Sequence, residues 1–349
     1  MRVLGIETSC DETSAAVVDG TGDRVRLASL VILSQDVHRI FGGVVPEIAS
    51  REHLTAVVPV VKQALSDASL HLADIDAVAV TNAPGLVGAL LVGVSFAKSL
   101  AFAIGKPLIG VHHMEGHLFA ASLEIETAVP PFTALLVSGG HTMIVDVPAW
   151  GSYRVLGKTR DDAAGEAFDK VGKLLGLPYP GGPHIERLAT NAPPSKLRYS
   201  PPMLRRDQTP DGPDYYDVSF SGLKTAVLNS VNERVAKQPL EDADRVELAR
   251  AFQDALIATL VGKTERAVNA FGRKRVVIAG GVAANRALVS ALRERLARGG
   301  VEVIAPSARL STDNAAMIAR AGLHRLERGE RSPLDLSAFA SQPLPGTSA

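Results

Sequence analysis

The chain is short of cysteine, of net charge and of unbroken apolar length, and each shortage excludes something. Of its 349 residues only Cys10 is a cysteine, so an internal disulfide is impossible and a reducing compartment fits best. Lys+Arg and Asp+Glu both number 37, which gives a formal net charge of zero. A neutral chain has no general attraction for polyanions, so any dealing with nucleic acid must use local patches or a partner. Arg2 is followed by a strand-length apolar run and then Glu7, which is not a signal peptide. The run from Leu86 to Ile104 comes nearest to a membrane span, but Lys98 and two serines interrupt it between strand-like segments. It reads as a buried helix of an α/β domain. These readings predict a soluble, cytoplasmic protein with no membrane association.

What is present is ordinary globular material: 46 % apolar and 21 % charged residues, in a length that suits two domains. Val3–Ile6 reads as a strand, 7–14 as a tight polar turn, and Ala15–Val18 and Arg26–Leu33 as further strands. Pro46 to Ala68 is an amphipathic helix with proline in its first turn. Ile75–Val80 is a strand ending in Thr81-Asn82-Ala83-Pro84-Gly85. The long apolar helix follows, then the strand into Val111 and a helix carrying His113 and His117. A second series starts near Phe132, with strand 134–137, turn 138–142, returning strand 143–147 and a helix over 165–176. Residues 178–217 are rich in Pro, Gly, Arg and Asp and read as a long surface excursion. A long helix over 246–271, a strand over 276–279, the run Gly280-Gly281-Val282-Ala283-Ala284-Asn285 and another helix come next. Strand 301–305 leads to Ser311-Thr312-Asp313-Asn314 and a last helix. The resulting division is 1–131, 132–330 with its insertion near 178–217, and a flexible tail over 331–349.

The two halves share one plan: hairpin with a polar turn, helix, strand with a small-residue turn, helix, strand, helix. Turn 7–14 matches 138–142, Asn82–Gly85 matches Gly280–Asn285, and the histidine stretch matches 311–314. In a duplicate with a cleft between its halves, equivalent strand ends face each other, and Asp313 is expected to approach His113 and His117. Those histidines are four apart, one turn apart on the same helix face, and a His-His-Asp set with open positions suits a catalytic metal ion. Taken alone, Asp313 reads better as an N-cap before the last helix, and the histidine pair opposite turns the reading toward a ligand. Ser138-Gly139-Gly140 between two strands can form a small anion nest. Gly280–Asn285 brings helix N–H groups toward a phosphate, with the Asn285 amide able to read a ribose or purine.

Several stretches resemble the tRNA N6-adenosine threonylcarbamoyltransferase family, once labelled O-sialoglycoprotein endopeptidase. They are Gly-Ile-Glu-Thr-Ser-Cys-Asp-Glu-Thr (5–13), Thr-Asn-Ala-Pro-Gly-Leu (81–86), His-His-Met-Glu-Gly-His (112–117), Leu-Val-Ser-Gly-Gly-His-Thr (136–142), Gly-Glu-Ala-Phe-Asp-Lys (165–170), Tyr-Pro-Gly-Gly-Pro (179–183), Phe-Ser-Gly-Leu-Lys-Thr (220–225), Gly-Gly-Val-Ala-Ala-Asn (280–285) and Thr-Asp-Asn-Ala-Ala-Met (312–317). They run in order from residue 5 to about 325. The resemblance implies an α/β, duplicated actin-like ATPase fold of the sugar-kinase and chaperone-ATPase type, with two lobes and a central cleft. It implies one divalent ion, Fe2+ or Zn2+, on His113, His117 and Asp313. Threonylcarbamoyl-AMP, or ATP, ADP or AMP in the same cleft, would be held by Leu136, Val137, Ser138, Gly139, Gly140, Asp169, Gly182 and Asn285. Glu186 stands where some relatives carry a substrate-contacting Asp. Ser311 stands where several have Cys.

The implied reaction moves the threonylcarbamoyl group from its adenylate to the N6 amine of the adenosine beside the anticodon, in tRNAs reading codons that start with A. AMP leaves. Asp11 and Glu12 are the candidates for accepting the amine proton or orienting substrate. Lys196, Arg198, Arg205 and Arg206, and separately Arg273-Lys274-Arg275, are candidate RNA contacts. Implied partners are tRNA, a catalytically inert actin-like paralogue, a P-loop ATPase and the upstream synthase that makes the adenylate. Among rival readings, a metalloendopeptidase would need a general base, and Glu115 lies at the wrong offset. A sugar kinase would want Asp-x-Gly-x-Thr where Glu7-Thr8-Ser9 stands, and a scaffold would not need the histidine pair. Another actin-like carbamoyltransferase is the nearest competitor.

Overall fold

The computed structural model describes residues 1–347 except 194, 195, 206 and 213. Chain contacts divide it into two compact units, Met1–Val129 with Pro306–Thr347, and Pro130–Ala305.

The first unit is built on a five-stranded sheet in the order β3-β2-β1-β4-β5. Its strands are β1 (Arg2–Glu7), β2 (Glu12–Thr21), β3 (Arg24–Ser34), β4 (Ala77–Ala83) and β5 (Leu108–His112). β1, β2 and β3 pair antiparallel, and β4 and β5 continue parallel to β1. Helices α1 (Pro46–Asp67) and α2 (Val87–Ile104) cover one face, packing Val57, Val61, Val94 and Ala97 on Leu4, Ile6, Val78 and Val80. α2 buries only its small side, Ala89, Gly93, Ala97 and Ala101, while Val87, Leu91 and Phe102 are exposed, so the expected buried helix is a one-sided one. The helix is long and apolar enough to span a membrane by length and composition alone.

Helix α3 (His113–Ala120) follows β5 directly, and α10 (Ala315–Glu327) packs on β1, β2, β4 and α3. Small residues make the close approach possible. A Cβ at Gly5 would lie 2.2 Å from the Ala315 carbonyl oxygen, and one at Gly322 would lie 2.6 Å from the Ala79 Cβ. With both faces covered, β1 and β4 are buried along nearly their whole length, as their unbroken apolar runs imply.

The second unit repeats the plan in the order β8-β7-β6-β9-β10. It uses β6 (Phe132–Val137), β7 (Thr142–Ala149), β8 (Ser152–Lys158), β9 (Arg275–Ala279) and β10 (Glu302–Ile304). β6, β7 and β8 are antiparallel, while β9 and β10 run parallel to β6. The expected duplication is therefore present strand for strand. Its core joins Leu135, Val137 and Ile144 to α4 (Ala164–Leu174), α5 (Gly181–Thr190), α6 (Ser221–Val235), α7 (Asp242–Phe271) and α8 (Arg286–Ala297). β8 and α6 have no counterpart in the sequence reading.

Two expected boundaries are corrected. The segment from Pro306 onward, including the short α9 (Ala308–Ser311) and α10, belongs with the first unit, because α10 lays its Ala/Gly face on β1 and β4. The tail is held rather than loose as far as Thr347. Ser332 N–H donates to Leu108 O at 2.8 Å, Phe339 N–H to Asn82 O at 2.9 Å, and Leu344 is buried. The 178–217 excursion begins as helix α5, since Ile185, Leu188 and Ala189 share one face against α4 and α7.

Candidate metal centre and the second-unit turns

α3 starts at His113 because His112 caps it, its Nδ1 accepting the Met114 N–H at 3.2 Å. His113 and His117 then stand one turn apart, ring centroids 4.7 Å apart and planes nearly perpendicular at 85°. Asp313 arrives just ahead of α10. The cap of that helix is Asn314, whose Oδ1 accepts Met317 N–H at 3.0 Å, while Ser14 Oγ accepts Ala315 N–H at 3.0 Å. With the capping done by neighbours, the Asp313 carboxylate turns to the imidazoles. Its Oδ1 lies 3.3 Å from His113 Nε2 and 3.2 Å from His117 Nε2. The expected trio is thus together, but all three belong to the first unit.

Behind His113 stands a residue the sequence reading passed over. Glu7, fully buried at the end of β1, places Oε2 3.0 Å from His113 Nδ1 and accepts Thr81 Oγ1–H at 2.6 Å. Its other oxygen accepts Ser9 N–H, and Ser9 Oγ lies 3.1 Å from His113 Nδ1. A charge closing a buried apolar strand was the signal available in the sequence.

Burial pushes the Glu7 and Asp313 carboxyls up, but the adjacent His113 charge overrides it. Glu7 is lowered, and Asp313 lies well below the usual carboxylate range. Burial opposes charge on His113 too, yet Asp313 and Glu7 raise it well above an ordinary histidine. His117, buried and beside His113, is lowered.

The donor set fits a divalent ion. Ligand atoms of His113, His117 and Asp313 lie within 4.8 Å of one another, and both Nε2 atoms converge on one carboxylate oxygen. Glu7 fixes the His113 ring from behind, as carboxylates behind metal-bound histidines do. His117 Nδ1 is buried without a hydrogen-bond partner among the described residues. Two nitrogens and one oxygen, with further positions open, suit zinc or ferrous iron.

In the turn between β1 and β2, Asp11 and Glu12 are both partly exposed. Burial, then the charges of Asp313 and Asp11, push the Glu12 carboxyl up to about 10. Glu115 is buried and lies 3.8 Å from Arg325, an ion-pair distance.

In the second unit Leu136 and Val137 are buried in β6, so only their backbone can meet a ligand. Gly139 and Gly140 face open space: among the described residues, none beyond their chain neighbours comes within 4 Å of where a Cβ would sit. Gly280 (φ 90°) tucks under Val137 O, where a Cβ would come within 2.5 Å. Asp169 Oδ1 accepts Gly181 N–H at 2.7 Å and so fixes the start of α5, next to Gly182.

Two of the expected contacts are already engaged. Asn285 caps α8, its Oδ1 accepting Leu288 N–H at 2.9 Å and its amide donating to Gln253 Oε1 at 3.1 Å. Glu186 Oε1 accepts Arg286 N–H at 2.7 Å, in the first turn of that helix. The anion-seeking N-terminus of α8 is therefore largely met by the protein itself.

The basic clusters are partly neutralised. Arg205 pairs with Asp214 at 3.3 Å and Arg273 with Asp146 at 2.6 Å; Arg206 lies outside the described residues.

A duplicated α/β fold of the actin-like ATPase type, carrying two buried histidines and a half-buried aspartate able to hold a metal ion, defines the class of protein. The same fold appears in component A of the (R)-2-hydroxyglutaryl-CoA dehydratase of Acidaminococcus fermentans (TM-score 0.53, 14 % identity, 94 % of this chain and 99 % of that one). It also appears in HypF of T. kodakarensis (TM-score 0.60, 14 % identity, 94 % of this chain and 48 % of that one). A Gemmatimonas aurantiaca protein described as a tRNA N6-adenosine threonylcarbamoyltransferase is 64 % identical over 350 residues, covering 99 % of this chain and 98 % of that one. The family model of the same description, TsaD, matches residues 26–320. The chain belongs to the tRNA N6-adenosine threonylcarbamoyltransferase family, and it is a transferase.

Proposed function

We propose that the chain transfers a threonylcarbamoyl group from threonylcarbamoyl-AMP to the N6 amine of the adenosine beside the anticodon, forming N6-threonylcarbamoyladenosine in tRNAs that read codons beginning with A. The observation that carries this reading is the convergence of His113 and His117 on Asp313 in a chain of this family. A divalent ion bound there would act as a Lewis acid toward a carbonyl or phosphoryl oxygen.

The chain's own residues would do the rest. The backbone around Ser138–Gly140, open on its ligand side, would take the adenylate phosphate or carbonyl through N–H groups. Asp169 of α4 and Gly182 at the start of α5 would border the nucleotide, with Asn285 and Glu186 holding α8 in place beside it. Adenine's exocyclic amine is a poor nucleophile and must lose a proton as the new bond forms. Glu12, pushed toward its protonated form, is the better orienting donor, which leaves the neighbouring Asp11 as the group to accept that proton.

The neutral chain would use partners as well as tRNA: an inert actin-like paralogue, a P-loop ATPase, and the synthase supplying the adenylate. An open apolar groove of about 520 Å³ between α1 and α2, lined by Leu54, Val58, Leu91 and Phe96, supports a protein partner. The reaction belongs in the cytoplasm, where its tRNA is. The test is incubation with the partners, tRNA and threonylcarbamoyl-AMP, followed by mass spectrometry of the nucleosides. Unmodified adenosine in every arm rejects the assignment.

A further inference from the structure

The turn that carries Asp11 and Glu12 is held by its carbonyls. Three in succession each accept from a different element: Ser9 O from Leu86 N at 2.8 Å, Cys10 O from His53 Nε2 at 2.9 Å, and Asp11 O from Gln35 N at 3.0 Å. The first and last are backbone contacts that most substitutions preserve. The middle one hangs on a single side chain, fully buried on α1.

The proton positions follow from the partners. A carbonyl only accepts, so Nε2 of His53 carries the proton. In the neutral ring Nδ1 then accepts, and Thr13 Oγ1 lies 2.8 Å from it. Gln35 closes the set. Its Nε2 donates to Ala49 O at 3.2 Å, and its Oε1 lies 2.9 Å from His38 Nε2. His38 Nδ1 in turn accepts Val45 N–H at 3.3 Å. With His53 neutral the ring donates to one backbone carbonyl and accepts from one hydroxyl, the Gln35 amide nitrogen lies 3.4 Å from both ring nitrogens, and burial does hold His53 below the ordinary histidine range. One ring therefore fixes the residue before Asp11 and the residue after Glu12.

We infer that His53 is a positioning residue, whose Nε2–H grip on the Cys10 carbonyl aims the Asp11–Glu12 turn for the transfer step. The inference rests on the role proposed above for that turn. The hydrogen-bond partners of His53 are Cys10, Thr13 and Gln35, none of them a metal ligand, so its loss should slow turnover without emptying the metal site.

Three variants separate the grip from mere bulk. His53→Gln can place an amide N–H near the Nε2 position, His53→Asn reaches only the Nδ1 position, and His53→Leu fills the space with neither. Hydrogen exchange of the peptide spanning 8–16, read by mass spectrometry on the full chain, should quicken in the Asn and Leu variants and stay near wild type in Gln. Bound metal should be equal in all three. In the complete assay kcat should fall about 10- to 100-fold for Asn and Leu, with KM for tRNA and adenylate within about twofold, and recover in Gln.

Unchanged exchange in Asn and Leu, or Gln behaving like Leu, overturns the grip. Quickened exchange with full kcat overturns the positioning role. If Leu fails to fold, Asn against Gln decides the same question. A wild-type protein that modifies no tRNA sinks the proposed function instead, and leaves the exchange result standing.

Discussion

Glu7 stands directly behind His113, its Oε2 3.0 Å from the ring Nδ1, while the Nε2 on the opposite side faces Asp313 at 3.3 Å. The carboxylate thus sets both the tilt of the imidazole and which nitrogen is free for an ion. Glu7→Gln keeps the shape and removes the charge. Affinity for Zn2+ or Fe2+ should fall about 10- to 100-fold, measured by competition with a chromophoric chelator. Equal affinity would show that the ring is oriented by its packing alone.

Asp313 and Asn314 are neighbours with separate tasks, and their substitutions should separate accordingly. Asn314→Ala removes the acceptor for Met317 N–H and should cost about 1 kcal/mol in urea unfolding. Asp313→Asn leaves that cap in place and removes a metal ligand. It should lower bound metal sharply and also cost stability, because His113 loses its charged partner, whereas Asn314→Ala should keep bound metal near wild type. Loss of metal in Asn314→Ala would mean that the cap also holds the site.

Glu186 tests whether a family contact has become a structural one. Its carboxylate receives Arg286 N–H at 2.7 Å. Glu186→Ala should weaken α8 by about 0.5–2 kcal/mol while KM for the adenylate stays within about twofold. A large rise in KM with unchanged stability would restore the substrate contact.

Lys263 predicts a dependence on pH. Buried on α7, it donates to Asp214 O at 2.7 Å and Tyr215 O at 2.8 Å, pinning the excursion across the helix. Burial, then the charge of Arg266, brings its ammonium down to about 8, against 10.5 ordinarily. Between those values the unfolded chain binds more protons than the folded one, so this residue's contribution to stability rises with pH across that window. Below about 8 the cost of burying the charge is present in full. Urea unfolding of wild type and Lys263→Met should show the wild type gaining on the variant from pH about 8 to 10.5. Parallel curves would contradict this.

Much of the fold was legible because it is written in periodicity. Repeated apolar strands and helices announced the duplicated plan, and spacing of four put His113 and His117 on one helix face. Asp313 was found from its place in the repeat, although the reason it arrives is different. Gly5, Ala79 and Gly322 let α10 lie close on the first sheet, and no local pattern shows which sheet a terminal helix will choose. In the sequence Glu7 reads as the start of a turn, since a partner 106 residues away leaves no trace in spacing. His53 was hidden in an amphipathic helix, where a histidine reads as a polar position. The tail was misjudged because Pro and Ser suggest looseness, whereas single bonds such as Phe339 N–H to Asn82 O hold it.

The central claim is that His113, His117 and Asp313 hold an ion that the transfer to tRNA requires. The most direct test measures bound metal and N6-threonylcarbamoyladenosine together, for wild type and His117→Ala, each with partners, tRNA and threonylcarbamoyl-AMP. Wild type should carry about one ion and give steady product. A folded His117→Ala should carry little metal and give product reduced at least about 100-fold. Wild-type levels of product from metal-depleted His117→Ala would contradict the claim.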